Sequence, residues 1–312
     1  MDDSASQERR GLAAAFGAFG LWGVFPLFIG LLAPAAPIEI SAHRVVWTFL
    51  VCVIVLTATG TLGRTWALRQ DRRLVGRLAL GALFLAGNWL IFVIAVSIGR
   101  VVDASLGYFL NPLISAALAV VVLLERLRPA QWWALGIAGA GVVVMAVGLG
   151  TVPWIALALA ITFGLYGLTK KQVGSRVTAV SGLSIETASL LLPALGYLLW
   201  LVTTGRSTFG ADVGVGGSWG HALLLASSGA VTALPLVLFA AASRRLPLGT
   251  VAMTQFITPV MQFIAGVVVL GERMSPARWV GFGFVWAALV VLSIDIMRSA
   301  RAARLARLAA VT

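Results

Sequence analysis

Apolar residues occupy ten long blocks, separated by short polar breaks. The blocks cover roughly residues 11–32, 40–62, 75–97, 104–124, 130–149, 153–169, 181–203, 221–242, 250–270 and 276–296. Most are close to the ~20 residues that an α-helix needs to cross a bilayer core. Apolar positions within a block do not alternate, which excludes the strands of a transmembrane barrel. The pattern predicts an all-α polytopic membrane protein with ten transmembrane helices. The first block has nine successors and no small-residue cleavage site, so it reads as a retained helix and not as a signal peptide.

Composition agrees. Hydrophobic residues make up 60% of the 312 positions and charged residues 11%, with a mean hydropathy of +1.00. A soluble domain carries about 25% charged residues, so this chain has too little polar surface for a soluble globule. The single cysteine, Cys52, cannot form an internal disulfide, and His43 and His221 are too few for a haem or a His-rich metal site. No metal and no cofactor are expected. His43 is followed by Arg and His221 by Ala, so no HExxH site exists. The glycines Gly214, Gly216 and Gly217 lead to Trp219 without a preceding strand and do not make a nucleotide fingerprint. The stretch 205–219 is expected to be a flexible outside loop, and the protein is not expected to be an enzyme.

The net charge of +12 changes meaning in a membrane protein. With the N-terminus inside, eighteen of the 23 Lys and Arg residues fall in cytoplasmic segments. That bias predicts an N-in, C-in topology. The basic tail with Arg298, Arg301, Arg304 and Arg307 reads as a juxtamembrane helix beside anionic lipid, and no nucleic-acid partner is expected. Trp66, Trp132 and Trp279 lie near block ends and suit the membrane interface.

The chain also repeats itself. Phe109-Leu110-Asn111-Pro112 corresponds to Phe256-Ile257-Thr258-Pro259, Glu125-Arg126 to Glu272-Arg273, and Pro129-Ala130 to Pro276-Ala277, with Trp132 matching Trp279, all at one offset of 147. Gly136 with Ala140, and Gly283 with Ala287, form equivalent small-residue pairs suited to close helix packing. Phe19-Gly20-Leu21-Trp22-Gly23 echoes Phe163-Gly164-Leu165-Tyr166-Gly167 at an offset of 144. Two five-helix repeats follow, 1–150 and 151–312. Because five is odd, the second repeat enters the membrane inverted, a recurrent transporter design.

The same residues carry a family resemblance. The 5+5 arrangement resembles the EamA family of the drug/metabolite transporter superfamily. The stretches Glu39-Ile40-Ser41-Ala42-His43-Arg44, Gly87-Asn88-Trp89, Asp103-Ala104-Ser105-Leu106-Gly107-Tyr108-Phe109-Leu110-Asn111-Pro112 and Ile185-Glu186-Thr187 are similar to its RarD branch, with Asp103 standing where Glu is expected. The resemblance implies a secondary transporter of small metabolites or drugs in a bacterial inner membrane, often driven by an ion gradient. It does not fix a substrate. A channel or sensor subunit is the alternative, and a membrane enzyme a weaker one.

Ionisable groups inside a bilayer cost roughly 2.5–3.5 kcal/mol each on insertion scales and mark pathways by default. Glu186, one repeat after Glu39, is expected well inside its helix, where burial alone disfavours the charged form. That makes it the candidate coupling carboxylate, exchanging protons or contacting substrate; the plainer reading is a carboxylate at a helix start. Glu39 is expected near water beside His43 and Arg44, in a gating role. Asn88, Tyr108, Asn111, Tyr166, Thr232, Gln255 and Gln262 are polar groups within apolar blocks, either interhelical glue or the polar points of a substrate pocket. Trp22, Trp89, Tyr108 and Tyr166 suit its walls. Pro112 and Pro259 occupy equivalent positions, each removing a backbone hydrogen bond, as static kinks or as paired hinges. The expected partners are a small-molecule substrate, protons and membrane lipid, with the chain a monomer or homodimer.

Overall fold

A computed structural model of the chain describes residues 2–124, 127–174, 177–246 and 248–309. Glu125, Arg126 and Arg176, which entered the repeat and charge arguments above, lie outside the described residues. The described chain is helical and contains no strand: α1 (Asp2–Leu31), α2 (Pro37–Ala58), the short α3 (Leu62–Ala67), α4 (Arg72–Ser97), α5 (Val101–Leu123), α6 (Pro129–Leu149), α7 (Trp154–Val173), α8 (Ala179–Thr203), α9 (Gly217–Ser243), α10 (Leu248–Thr254), α11 (Ile257–Ile264) and α12 (Pro276–Ala309).

Local chemistry sets the ends. Pro37 and Pro129 open α2 and α6 in the first turn, where a missing N–H costs nothing. Asp71 Oδ1 accepts from the N–H groups of Arg73 (3.1 Å) and Leu74 (3.0 Å) and caps α4. Thr178 Oγ1 accepts from Ser181 N–H at 3.2 Å and caps α8. Gly150 closes α6 at φ 67°, a conformation that favours glycine.

Among the described residues, eight helices are long and apolar enough to cross a membrane. Two expected spans differ. The 153–169 block becomes the 20-residue α7, whose last turn carries Lys170 and Lys171 and lowers its mean hydropathy. The 250–270 block is not one helix. α10 stops at Thr254, a turn at Gln255 and Phe256 follows, α11 runs to Ile264, and a π-helical segment occupies Ala265–Val269. Pro259 accounts for the break, because without an N–H it cannot bond back to Gln255. The two prolines therefore differ, contrary to their equal standing in the sequence. Pro112 sits inside the continuous α5, whereas Pro259 lies in the first turn of α11.

The principal helix contacts are α6 with α12, α5 with α7, α2 with α8, α4 with α7, α1 with α9, α2 with α9, α1 with α11 and α4 with α8. α6 and α12 run antiparallel: Arg128 pairs with Asp295 (2.6 Å) at one end, Gly141 lies against Phe284 in the middle, and Gly148 against Ala277 at the other end. Close approach depends on Gly141, Gly148 and Gly281, where an added Cβ would strike the partner helix. The expected packing pairs do not serve here. Gly136, Ala140, Gly283 and Ala287 are exposed, and a Cβ on Gly136 or Gly283 would meet nothing within 4 Å. The buried stripe of α6 is Ala134, Ala138, Gly141 and Met145, so the contact face is turned away from the small-residue pair that the sequence singled out.

Candidate functional site

At one end of the bundle, the loop 204–216 folds back on α2. Glu39 is 1% exposed, and its Oε1 accepts from Thr208 N–H (2.7 Å) and Ser207 Oγ (3.3 Å). Phe209 stacks on the His43 ring with centroids 5.0 Å apart and planes 22° apart. Thr208 Oγ1 and His221 Nε2 lie 3.1 Å apart. Two expectations are corrected. The loop is docked and not free, and Glu39 is buried against backbone and hydroxyl donors with no ion pair to His43 or Arg44. His43 Nδ1 accepts from Trp47 Nε1 at 3.3 Å, while its Nε2 is buried without a partner.

About two turns into α2, Arg44 is 3% exposed. Its guanidinium carbon lies 4.6 Å from the Phe25 ring centroid and 4.4 Å from that of Trp89. A cation held against aromatic faces gains about 0.5–2 kcal/mol per contact. Nε donates to Thr232 Oγ1 at 3.4 Å, and Nη1 has no hydrogen-bond partner. Among the described residues, the ion pairs run Arg100–Asp103, Arg128–Asp295, Lys170–Glu186 and Arg278–Asp103, and none reaches Arg44. One turn on, Thr48 is fully buried, and its Oγ1 also lacks a partner.

Beside this, Asn88 joins three helices. Its Nδ2 donates to Leu159 O (3.0 Å) and Thr162 Oγ1 (3.1 Å) of α7, and its Oδ1 accepts from Tyr108 OH (3.3 Å) of α5. The interhelical reading describes Asn88 well, since both ends of its amide are engaged. Asn111 Oδ1 is buried without a partner. Gln262 is 2% exposed; its Nε2 donates to Trp22 O at 3.0 Å and its Oε1 lacks a partner. Gln255 is not part of this set: it lies exposed at the break between α10 and α11.

Toward the opposite end, Glu186 is 1% exposed on α8. Its Oε1 lies 2.7 Å from Lys170 Nζ, and its Oε2 accepts from Tyr166 OH at 3.3 Å. Burial does not act alone on this carboxylate, as the sequence reading assumed, because a cation from the last turn of α7 compensates it. Gly182 leaves the room: a Cβ there would come within 2.8 Å of Lys170 Nζ. Neither cation has a repeat counterpart, since the positions matching Arg44 and Lys170 hold Leu191 and Pro26.

A fourth cluster escaped the sequence reading. Glu272 accepts from the N–H groups of Val101 (2.5 Å) and Val102 (2.9 Å), capping α5 from the other half of the chain. Asp103 pairs with Arg100 (2.5 Å) and Arg278 (3.3 Å). Burial raises the Glu272 carboxyl above its ordinary value, against the opposing pull of the two N–H groups. Only the repeat position of Glu272 hinted at this; its partner lies 171 residues away. An open cleft of about 610 Å³ adjoins the cap, lined by Pro26, Leu27, Gly30, Val96, Gly99, Leu270, Gly271 and Glu272.

These features can be set beside known proteins. A solved crystal structure superimposes with a TM-score of 0.59 at 20% identity, covering 92% of this chain and 98% of that one, which shows a shared fold. Protein RarD of Streptomyces exfoliatus is 48% identical over 299 residues, spanning 96% of this chain and 93% of that protein. Protein RarD of Escherichia coli is 36% identical, with 95% and 98% covered, and an uncharacterized transporter of Vibrio cholerae is 37% identical, with 98% and 99% covered. The EamA-like transporter family matches residues 9–147 and again residues 151–294. With its apolar helices and relatives alike along nearly their whole length, the chain is a multi-pass bacterial membrane protein that belongs to the EamA-like transporter family.

Proposed function

We propose that the protein is a ten-span secondary carrier of the inner membrane, with both termini cytoplasmic, that moves a small, partly apolar metabolite or drug by alternating access. In this reading α7 and the broken α10–α11–π segment are the sixth and ninth spans, which with the eight long apolar helices make ten, and 1–150 and 151–312 are inverted repeats. The packing pattern carries the proposal. Exchanging repeats pairs α1 with α7, α2 with α8, α4 with α9, α5 with α10–α11 and α6 with α12. Under that exchange the contact of α5 with α7 becomes that of α11 with α1, α4 with α7 becomes α9 with α1, and α2 with α9 becomes α8 with α4. The pairs α2–α8 and α6–α12 map onto themselves, and the antiparallel run of α6 against α12 fits an in-plane two-fold axis.

Glu186 is the proposed coupling group. Protonation would release Lys170, so one proton would be linked to the side-chain bridge between α7 and α8, both of which pack on α4. Glu39 and His43, under the docked loop, gate the other end. Pro112 and the Pro259 break are the proposed hinges, the latter more compliant because it interrupts the helix. The polar groups Asn88, Tyr108, Asn111 and Tyr166 line the route, and Gln255 attends the α10–α11 break. The partners in this proposal are the substrate, protons and surrounding lipid, with a monomer or homodimer as the unit and no nucleic acid.

The test uses proteoliposomes and a substrate identified by screening metabolites and antibiotics. Glu186→Gln should lose accumulation driven by a pH gradient while keeping folding and insertion, and Glu39→Gln should lose less. Gradient-driven transport at the parental rate in Glu186→Gln returns this carboxylate to a structural role. Flux that does not saturate with concentration points to a channel.

A further inference from the structure

Arg44 poses a problem that the helix bundle does not solve. A guanidinium offers five N–H donors in a fixed plane. Here the guanidinium carbon lies over the Phe25 and Trp89 rings, Nε reaches Thr232 Oγ1, and Nη1 remains buried without an acceptor. Buried charges in proteins are paired or hydrogen-bonded as a rule. The nearby groups do not meet the need. Glu39, five residues earlier on the same helix, is committed to Thr208 and Ser207, and the Asn88 oxygen is committed to Tyr108. Thr48, on the same face one turn along, adds a second polar atom, Oγ1, with no partner.

We propose that Arg44 is the recognition point for a monocarboxylate, its plane held by Phe25 and Trp89 so that Nη1 meets the carboxylate while Thr48 Oγ1 donates to it or to an adjacent oxygen. The proposal deepens the carrier reading by naming the substrate class, and it rests on that reading only for the transport of the bound ligand. The chemistry selects this class in three ways. A planar carboxylate matches the guanidinium edge. A single deeply buried cation compensates one negative charge, because the half-buried Lys170 is already paired with Glu186. The residues around the guanidinium are aromatic: Phe25 stacks on Phe92 at 5.8 Å, Phe92 meets Tyr108 at 5.9 Å, and the Trp89 ring centroid lies 4.4 Å from the guanidinium carbon. Such surroundings favour a ligand whose remainder is apolar.

The experiment compares acids with their isosteric neutral amides on purified, detergent-solubilised full-length protein. The probes are benzoate and benzamide, phenylacetate and phenylacetamide, 3-phenylpropionate and its amide, and hexanoate and hexanamide. Binding is read by the thermal midpoint and by tryptophan fluorescence, for which Trp89 is a reporter beside the site. At least one acid should bind saturably and ~tenfold or more tighter than its amide. Arg44→Met should erase that preference while leaving the elution profile on gel filtration unchanged. Arg44→Lys keeps the charge but not the planar edge, and should weaken acid binding while folding normally, so the test holds even where Arg44→Met does not fold. A panel in which no acid outperforms its amide overturns the proposal, as does an acid preference that survives in Arg44→Lys at parental affinity and in Arg44→Met. Acid binding without transport in proteoliposomes would leave the site standing and overturn the carrier reading. Saturable transport of neutral solutes without acid preference would do the reverse.

Discussion

Lys170 Nζ lies 2.7 Å from Glu186 Oε1, joining the last turn of α7 to the third turn of α8 through a carboxylate that is 1% exposed. Breaking a buried pair by removing one partner typically costs about 3–5 kcal/mol, because the other charge is left uncompensated, whereas replacing both by apolar groups is often close to neutral. Lys170→Met is therefore expected to destabilise the protein markedly. Lys170→Met with Glu186→Leu should recover most of that loss while abolishing gradient-driven transport. Denaturant titration of the parent, Lys170→Met, Glu186→Leu and the double variant, analysed as a double-mutant cycle, measures the coupling. A double variant as unstable as the single one would remove the pair from the stability account.

Glu272 supplies a pH test outside the spans. Burial holds its carboxyl above the ordinary value of 4.5, Asp103 pushes the same way, and the Val101 and Val102 N–H groups and Arg278 oppose. A raised value means that the folded protein retains a proton which the unfolded chain has released, so between 4.5 and the raised value stability falls as pH rises. Glu272→Gln removes this dependence. The stability advantage of the parent over the variant should be largest at acid pH and shrink as pH climbs upward from about 4.5. Unfolding midpoints across a pH series check it, and an advantage that grows with pH would contradict the argument.

The docked loop predicts both a rate and a side. In a Cys52→Ser background, Ala211→Cys should react with a membrane-impermeant maleimide on intact cells, and Arg69→Cys should not, if both termini are cytoplasmic. Adding Glu39→Gln to the Ala211→Cys protein removes the charge that holds Thr208 N–H and Ser207. Losing ~1.4 kcal/mol of a charge-assisted bond would raise the open fraction about tenfold, and labelling should accelerate accordingly. Labelling at an unchanged rate would show that Phe209 on His43 holds the loop without Glu39.

Two glycine substitutions should diverge. A Cβ on Gly229 would overlap the carbonyl of Trp47, so Gly229→Ala must push α9 off α2. Overpacking of this kind costs about 1–3 kcal/mol, and the backbone obstacle puts this site at the upper end. Gly283→Ala meets nothing within 4 Å, and should gain roughly 0.5–1 kcal/mol from reduced chain entropy. Thermal midpoints of the two variants decide between contact and propensity.

Much of this protein follows from sequence alone, because a bilayer imposes one-dimensional rules. Length and apolarity mark the helices, and Pro37, Asp71, Pro129 and Thr178 mark helix starts through backbone hydrogen bonds that are satisfied within a few residues. The offset that aligns Pro112 with Pro259 is likewise written along the chain. Rotation and pairing are not. Whether α6 presents Gly136 or Gly141 to α12 depends on how two apolar surfaces fit, and every face of such a helix is apolar enough to be a candidate. Pro259 lies at a break in its segment while Pro112 does not break α5, a difference in backbone setting that their similar local motifs do not reveal. The partners that define the sites are distant in sequence: Lys170 lies 16 residues from Glu186, Thr208 lies 169 from Glu39, and Val101 lies 171 from Glu272. Those distances closed only in three dimensions, and they decided which carboxylates are compensated. Arg44 was visible as a costly residue from the start. That its guanidinium lies over two rings while Nη1 has no acceptor is a property of the packed bundle.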